Sequence, residues 1–117
     1  MPRAATTSDA FNAVAEPRRR EILDLLAEQE WGVNEIVVRL RMEQPSVSKH
    51  LRVLRDVGLV TVRRNGRHVY YRTNAAAIRP MYEWTKAFEK MWSHQLNRIK
   101  ERAEARAKQA QNPQEEE

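Results

Sequence analysis

The chain has 117 residues, 41% of them apolar, with 21 Lys/Arg against 16 Asp/Glu and a formal net charge of +5. It contains no cysteine, which excludes disulfides and thiolate metal sites, and no apolar run approaches the roughly 20 residues of a membrane span. The charge is segregated: residues 1–38 carry 4 cations and 7 acids, residues 39–72 carry 9 and 2, and residues 73–117 carry 8 and 7. A basic block confined to the middle of a small domain points to a polyanionic partner.

Residues Met1 to Ser8 lack the apolar core of a secretory signal, so a cytoplasmic location is expected. Ser8 and Asp9 are cap residues ahead of Phe11 and Val14 at i, i+3, which predicts a short first helix. Glu16-Pro17 restarts the chain, with proline at a first helical position. From Arg18 to Glu28 the pattern is helical, with Ile22, Leu23, Leu25 and Leu26 as the buried face. Arg18, Arg19 and Arg20 lie near the N-terminus of that helix, the unfavourable end for cations, so they either pair with nearby acids or meet phosphate.

Gln29-Glu30-Trp31-Gly32 is a break, with Trp31 expected at the edge of the core. Val33 to Leu40 forms a short helix with Ile36, Val37 and Leu40 inward. Arg41-Met42-Glu43 is a three-residue turn into the next helix, in which Val47, Leu51 and Leu54 form an apolar stripe. Pro45 sits in its first turn and Gly58 just past its end, where a left-handed residue closes a helix. Ser48, Lys49, Arg52 and Asp56 point off the stripe. Two helices joined by a short turn, the second presenting hydroxyls and cations, are the pattern of a helix-turn-helix.

After Gly58 the period changes to 2. Leu59 to Arg64 and Arg67 to Arg72 flank Asn65-Gly66, the strongest short hairpin signal, which predicts that 64 opposes 67, 62 opposes 69 and 60 opposes 71. Val60, Val62, Val69 and Tyr71 then share the inward face, while Thr61, Arg63, His68, Tyr70 and Arg72 share the other. Arg64 and Arg67 stand at the tip of this wing, suited to a narrow minor groove. Asn74 is placed to cap a last helix of about 30 residues. In it Met81, Trp84, Phe88, Met91 or Trp92, Gln95 or Leu96, and Ile99 recur at threes and fours. So small a domain is not expected to bury this stripe against itself, and a second copy would cover it. Residues 109–117, polar and ending in three glutamates, are expected to be a disordered acidic tail.

These residues resemble one known family. Phe11-x-x-x-Ala15-Glu16-Pro17-x-Arg19-Arg20-x-Ile22-Leu23, then Gln44-Pro45-Ser46-Val47-Ser48-Lys49-His50-Leu51-x-x-Leu54, then Gly58-Leu59-Val60 and Arg63-x-x-Gly66-Arg67-x-x-Tyr70-Tyr71 are similar to the ArsR/SmtB family of bacterial transcriptional regulators. The resemblance covers roughly residues 9–100. It implies a mainly α fold with a β-hairpin, the winged helix-turn-helix of order α1-α2-α3-α4-β-β-α5, dimerised through its first and last helices. It implies binding to a palindromic operator, usually as a repressor released by a signal. Two positions depart from the family pattern: Arg41 stands where glycine is frequent, and Glu43 where a Ser or Thr cap is usual.

The expected function is therefore a sequence-specific DNA-binding regulator acting as a homodimer, with no enzymatic activity and no cofactor. Gln44, Ser46, Ser48 and Lys49 are the candidates for base edges. Lys49, Arg52, Arg63, Arg64, Arg67 and His68 are the candidates for phosphate or minor-groove contact. Phe11, Met81, Trp84, Phe88, Trp92 and Leu96 are the candidate dimer interface. One domain is expected over residues 1–108, with the wing over about 59–72 and the dimerisation helix over about 75–108. Metal-sensing members of the family place a Cys pair on α3 or Asp and His pairs on the last helix. Here residues 33–38 hold no thiol, and the last helix holds His94 and no aspartate, so no metal site is expected. The effector is not encoded in any recognisable pattern. The reading from another class is a protein-interaction module that uses the same scaffold and the aromatic last helix.

Overall fold

The computed structural model describes residues 7–111. Six helices and one hairpin follow in the order α1 (Thr7–Val14), α2 (Pro17–Glu28), α3 (Val33–Leu40), α4 (Gln44–Asp56), β1 (Val60–Asn65), β2 (His68–Thr73), α5 (Ala75–Lys86) and α6 (Glu89–Gln111). The fold divides after Met81 into two compact units.

The first unit is built on the inward stripes of α2, α3 and α4. Ile22, Leu26, Ile36, Val47, Leu51, Leu54 and Leu59 are fully buried, and Ala10, Ala13, Leu23, Met42 and Val60 complete the core. Leu25, Val37 and Leu40 pack against it while half-exposed. Glu16 caps α2, its carboxylate accepting the Arg18 N–H at 3.2 Å, and Pro17 occupies the first turn as its missing N–H allows. Two of the three arginines after it, Arg19 and Arg20, close α1 rather than open α2. Arg19 Nε donates to the Ala13 carbonyl at 2.6 Å, and the Arg20 guanidinium donates to the carbonyls of Val14 and Ala15. Cations at a helix C-terminus meet both its dipole and its orphan carbonyls. Arg18 pairs with Glu21 at 2.8 Å.

The turn between α3 and α4 requires a left-handed residue, and Arg41 supplies it with φ 53° and ψ 47°. The Arg41 and Met42 N–H groups both reach the Val37 carbonyl, which closes α3. A non-glycine residue pays about 1 kcal/mol or more for that conformation. Arg41→Gly is therefore expected to raise stability by up to about 1 kcal/mol in a denaturant melt, the gain trimmed by the extra freedom of the unfolded glycine chain. A loss of stability would show that the Arg41 side chain holds the turn. Glu43 precedes α4 with no side-chain cap bond. Gly58 closes α4 at φ 80°, and the Leu59 N–H returns to the Leu54 carbonyl at 2.9 Å.

The hairpin turns one residue later than the Asn-Gly signal predicts. Asn65 pairs with His68, Arg64 with Val69, Val62 with Tyr71 and Val60 with Thr73, so the loop is Gly66-Arg67. Gly66 has φ 63° and Arg67 does not share the positive φ, which is the pattern of a turn with glycine at its first central position. A shift of two along the partner strand preserves which face each residue occupies, so Val60, Val62, Val69 and Tyr71 still point inward. The wing is fastened to the helices at several points. The backbone of Trp31 forms a bridge with Tyr71, a one-residue third strand. Thr73 Oγ1 donates to the Leu23 carbonyl at 2.7 Å. The Asn74 side-chain amide donates to the Gly58 carbonyl at 3.1 Å.

The predicted single helix over about 75–108 is two helices. The N–H groups of Ala87 and Phe88 bind the carbonyls of Trp84 and Thr85, three residues back, and α6 restarts from Phe88. Thr85 Oγ1 donates to the Tyr82 carbonyl, a local bond that competes with the helix ladder and bends it. Helix α6 runs to Gln111, so 109–111 belong to it rather than to the expected tail; the rest of that tail, 112–117, lies outside the described residues. No described helix is long and apolar enough to cross a membrane.

Candidate nucleic-acid interface

The core stripe of α4 fixes what its other faces present. With Val47, Leu51 and Leu54 buried, Gln44, Ser46, Lys49, Arg52 and Arg55 are exposed and Ser48 is half-buried at the edge of the stripe. Gln44 Nε2 donates to Ser48 Oγ at 3.1 Å, one helical turn along. That bond orients the Gln44 amide, leaving its carbonyl oxygen and one N–H for an outside partner, the donor–acceptor pair that adenine edges require. Pro45 and Glu43 occupy the start of the helix without consuming these groups.

The cations sort into two classes. Arg18, Arg19 and Arg20 are committed around the α1–α2 junction. The Arg39 guanidinium lies over the Trp31 ring at 3.9 Å. Arg63, expected at the interface, is engaged within the fold. It forms a bidentate pair with Glu30, the shortest contact 2.6 Å, and lies over the Tyr70 ring at 4.7 Å. The hydrogen bonds from Arg63 hold the Glu30 carboxyl below the ordinary carboxylate range. Lys49, Arg52, Arg55, Arg64 and Arg67 form the second class: among the described residues they make no ion pair. Arg67 occupies the loop of the wing and Arg64 the strand just before it, with His68 exposed beside Tyr70 at 6.2 Å between ring centroids. Five cations without an ion pair among the described residues thus line α4 and the wing.

His50 sits on the inner edge of α4. Its Nδ1 is buried and has no hydrogen-bond partner among the described residues. Burial, followed by the charges of Arg19, Lys49 and Arg18, disfavours the imidazolium and lowers the His50 pKa below its ordinary 6.5, against an opposing pull from Glu16. A folded pKa below the unfolded one means that the unfolded chain binds the extra proton first. Stability supplied by neutral His50 is therefore present above pH 6.5 and is lost as pH falls through the depressed value. Thermal melts between pH 7.5 and 5 should show this decline, and His50→Gln should flatten it.

The expected dimer residues divide. Met81 packs against the core of its own unit, and Phe11 is half-buried in α1. Trp84, Trp92 and Leu96 are 59%, 49% and 64% exposed, and Phe88 stands between the two tryptophans, edge-on to Trp84 and stacked on Trp92. Tyr82, Met91 and Ile99 are exposed too, extending the stripe. The three histidines lie in α4, β2 and α6, and no group of three or more His, Asp or Glu that could hold a metal ion occurs among the described residues.

A short helix, a three-residue turn, a second helix with a polar outer face and a two-stranded wing define a winged helix-turn-helix protein. A family model described as "Bacterial regulatory protein, arsR family" matches residues 16–62. The transcriptional repressor SdpR of Bacillus subtilis is 30% identical over 81 residues, covering 69% of this chain and 90% of the repressor. A transcriptional repressor SmtB homologue of Synechocystis is 37% identical over 71 residues, 61% of this chain and 54% of that protein. Among solved structures, an ArsR-like transcriptional regulator from Rhodococcus superposes with a TM-score of 0.64 at 27% identity, over 83% of this chain and 92% of that one. The chain belongs to the ArsR family of bacterial regulatory proteins, a family of DNA-binding transcriptional regulators.

Proposed function

We propose that this protein is a cytoplasmic transcriptional repressor that binds a palindromic operator as a homodimer. The observation that carries the reading is the sorting of its cations. Arg18, Arg19, Arg20, Arg39 and Arg63 are held by carbonyls, carboxylates or an aromatic face, while Lys49, Arg52, Arg55, Arg64 and Arg67, on α4 and the wing, make no ion pair among the described residues and are left for a polyanion. Helix α4 supplies the base readers Gln44, Ser46, Ser48 and Lys49, and the wing supplies Arg64, Arg67 and His68 to an adjacent minor groove. Arg63 contributes by fixing the wing through Glu30. Repression is supported by the activity named for the relatives SdpR and the SmtB homologue.

The homodimer rests on the exposed aromatic stripe of α5 and α6. An apolar strip of this length left in water invites a copy of itself, and two-fold pairing uses each residue twice. Titration of a fluorescent duplex at rising salt tests the DNA reading. The logarithm of the binding constant should fall against the logarithm of salt with a slope of about −0.9 for each phosphate contact. Binding insensitive to salt, or no binding to any duplex, would leave the stripe of α6 as a protein-docking surface and remove the regulator reading.

A further inference from the structure

We infer that the cleft between α4 and the wing seats the sugar–phosphate strand that separates the two grooves, with Arg55 and Tyr71 as phosphate-binding residues. The inference rests on the DNA reading above and adds to it two residues that the sequence had not placed at the interface.

The cleft has a volume of about 280 Å³ and is lined by Ser48, Leu51, Arg52, Arg55, Asp56 and Tyr71. Its origin is the helix period. Ser48, Arg52 and Arg55 stand at i, i+4 and i+7, a stripe beside the buried Val47–Leu51–Leu54 stripe. Facing it is Tyr71, held in place by its backbone bridge to Trp31 and its pairing with Val62. A helix in the major groove and a wing in the neighbouring minor groove are separated by one backbone strand, and that strand must cross the gap between the two elements. The gap is this cleft. The guanidiniums of Arg52 and Arg55 make no ion pair among the described residues. Together with the Tyr71 phenol they form a set of donors suited to phosphate oxygens. Asp56 is the exception on the rim: its carboxylate repels the same phosphates.

That mixture gives substitutions of opposite sign. A fluorescein-labelled 30-base-pair duplex of random sequence, titrated with full-length protein from 50 to 300 mM salt, reads the phosphate contacts without needing the operator. Arg55→Gln is expected to reduce the salt slope by about 1 for each bound protomer, about 2 for the dimer, and to weaken binding at least about fivefold at 150 mM. Tyr71→Phe keeps the ring and its packing and should weaken binding about two- to fivefold. Asp56→Asn should tighten binding two- to threefold, which no folding defect would produce. Wild-type slope and affinity in both Arg55→Gln and Tyr71→Phe, in a protein that otherwise binds DNA steeply with salt, would overturn the subsite and leave the regulator reading standing. Absence of DNA binding by the wild-type chain would instead remove the reading on which the subsite rests.

Discussion

Replacing Ser48 and Lys49 together by alanine is expected to reduce operator affinity by at least tenfold and up to several hundredfold, while the melting temperature stays nearly unchanged. Each well-placed base contact is worth about 1–3 kcal/mol of discrimination, and the double variant removes one cation from the exposed face and one hydroxyl from the edge of the buried stripe. It also frees the Gln44 amide, which is bonded to Ser48 Oγ at 3.1 Å, so the orientation of a third reader is lost with them. Folding is spared because Lys49 is exposed and alanine is a strong helix former. Anisotropy titrations on operator and random duplexes separate the outcomes. Specific affinity should collapse toward the random-sequence value, and an undiminished preference for the operator would move the reading face off this side of α4.

Breaking the aromatic stripe should have a comparable effect by another route. Phe88 touches both Trp84 and Trp92, with ring centroids 5.5 and 6.4 Å apart, so Phe88→Ala disorganises three rings at once. Burying a large aromatic contributes on the order of 1.5–3 kcal/mol, and a two-fold interface counts it twice. The dimer dissociation constant is expected to rise by about two to four powers of ten. The helix-turn-helix unit should remain folded, because its core of Ile22, Leu26, Ile36, Val47, Leu51, Leu54 and Leu59 lies in the other unit. Sedimentation equilibrium reads the association directly. A wild-type protein that is monomeric at micromolar concentration would refute the dimer, as would a Phe88→Ala protein that associates as the wild type does.

The helix-turn-helix was legible because its signals are local. Val47, Leu51 and Leu54 repeat with the helix period, and Pro45 and Gly58 mark its ends. The faces of the hairpin were legible for the same reason, since alternation survives the change of turn. Its register was not: Asn65-Gly66 and Gly66-Arg67 both offer a glycine for positive φ, and the choice between them depends on how β2 meets Trp31 and Leu23. The break at Ala87–Phe88 carries neither glycine nor proline, and Pro80, which does disturb a helix, lies inside α5 without ending it. The pairing of Arg63 with Glu30 joins residues 33 positions apart, beyond the reach of any periodic pattern. The same limit hid Arg55 and Tyr71, whose proximity is created by the fold alone.

Selection of genomic fragments by the full-length protein at physiological salt, followed by sequencing, tests the central claim most directly. The account predicts a small set of enriched fragments that share a two-fold symmetric site, its half-sites about 34–36 Å apart as a dimer with two recognition helices requires. Enrichment no greater than that of bulk DNA, or a shared site without symmetry, would contradict it.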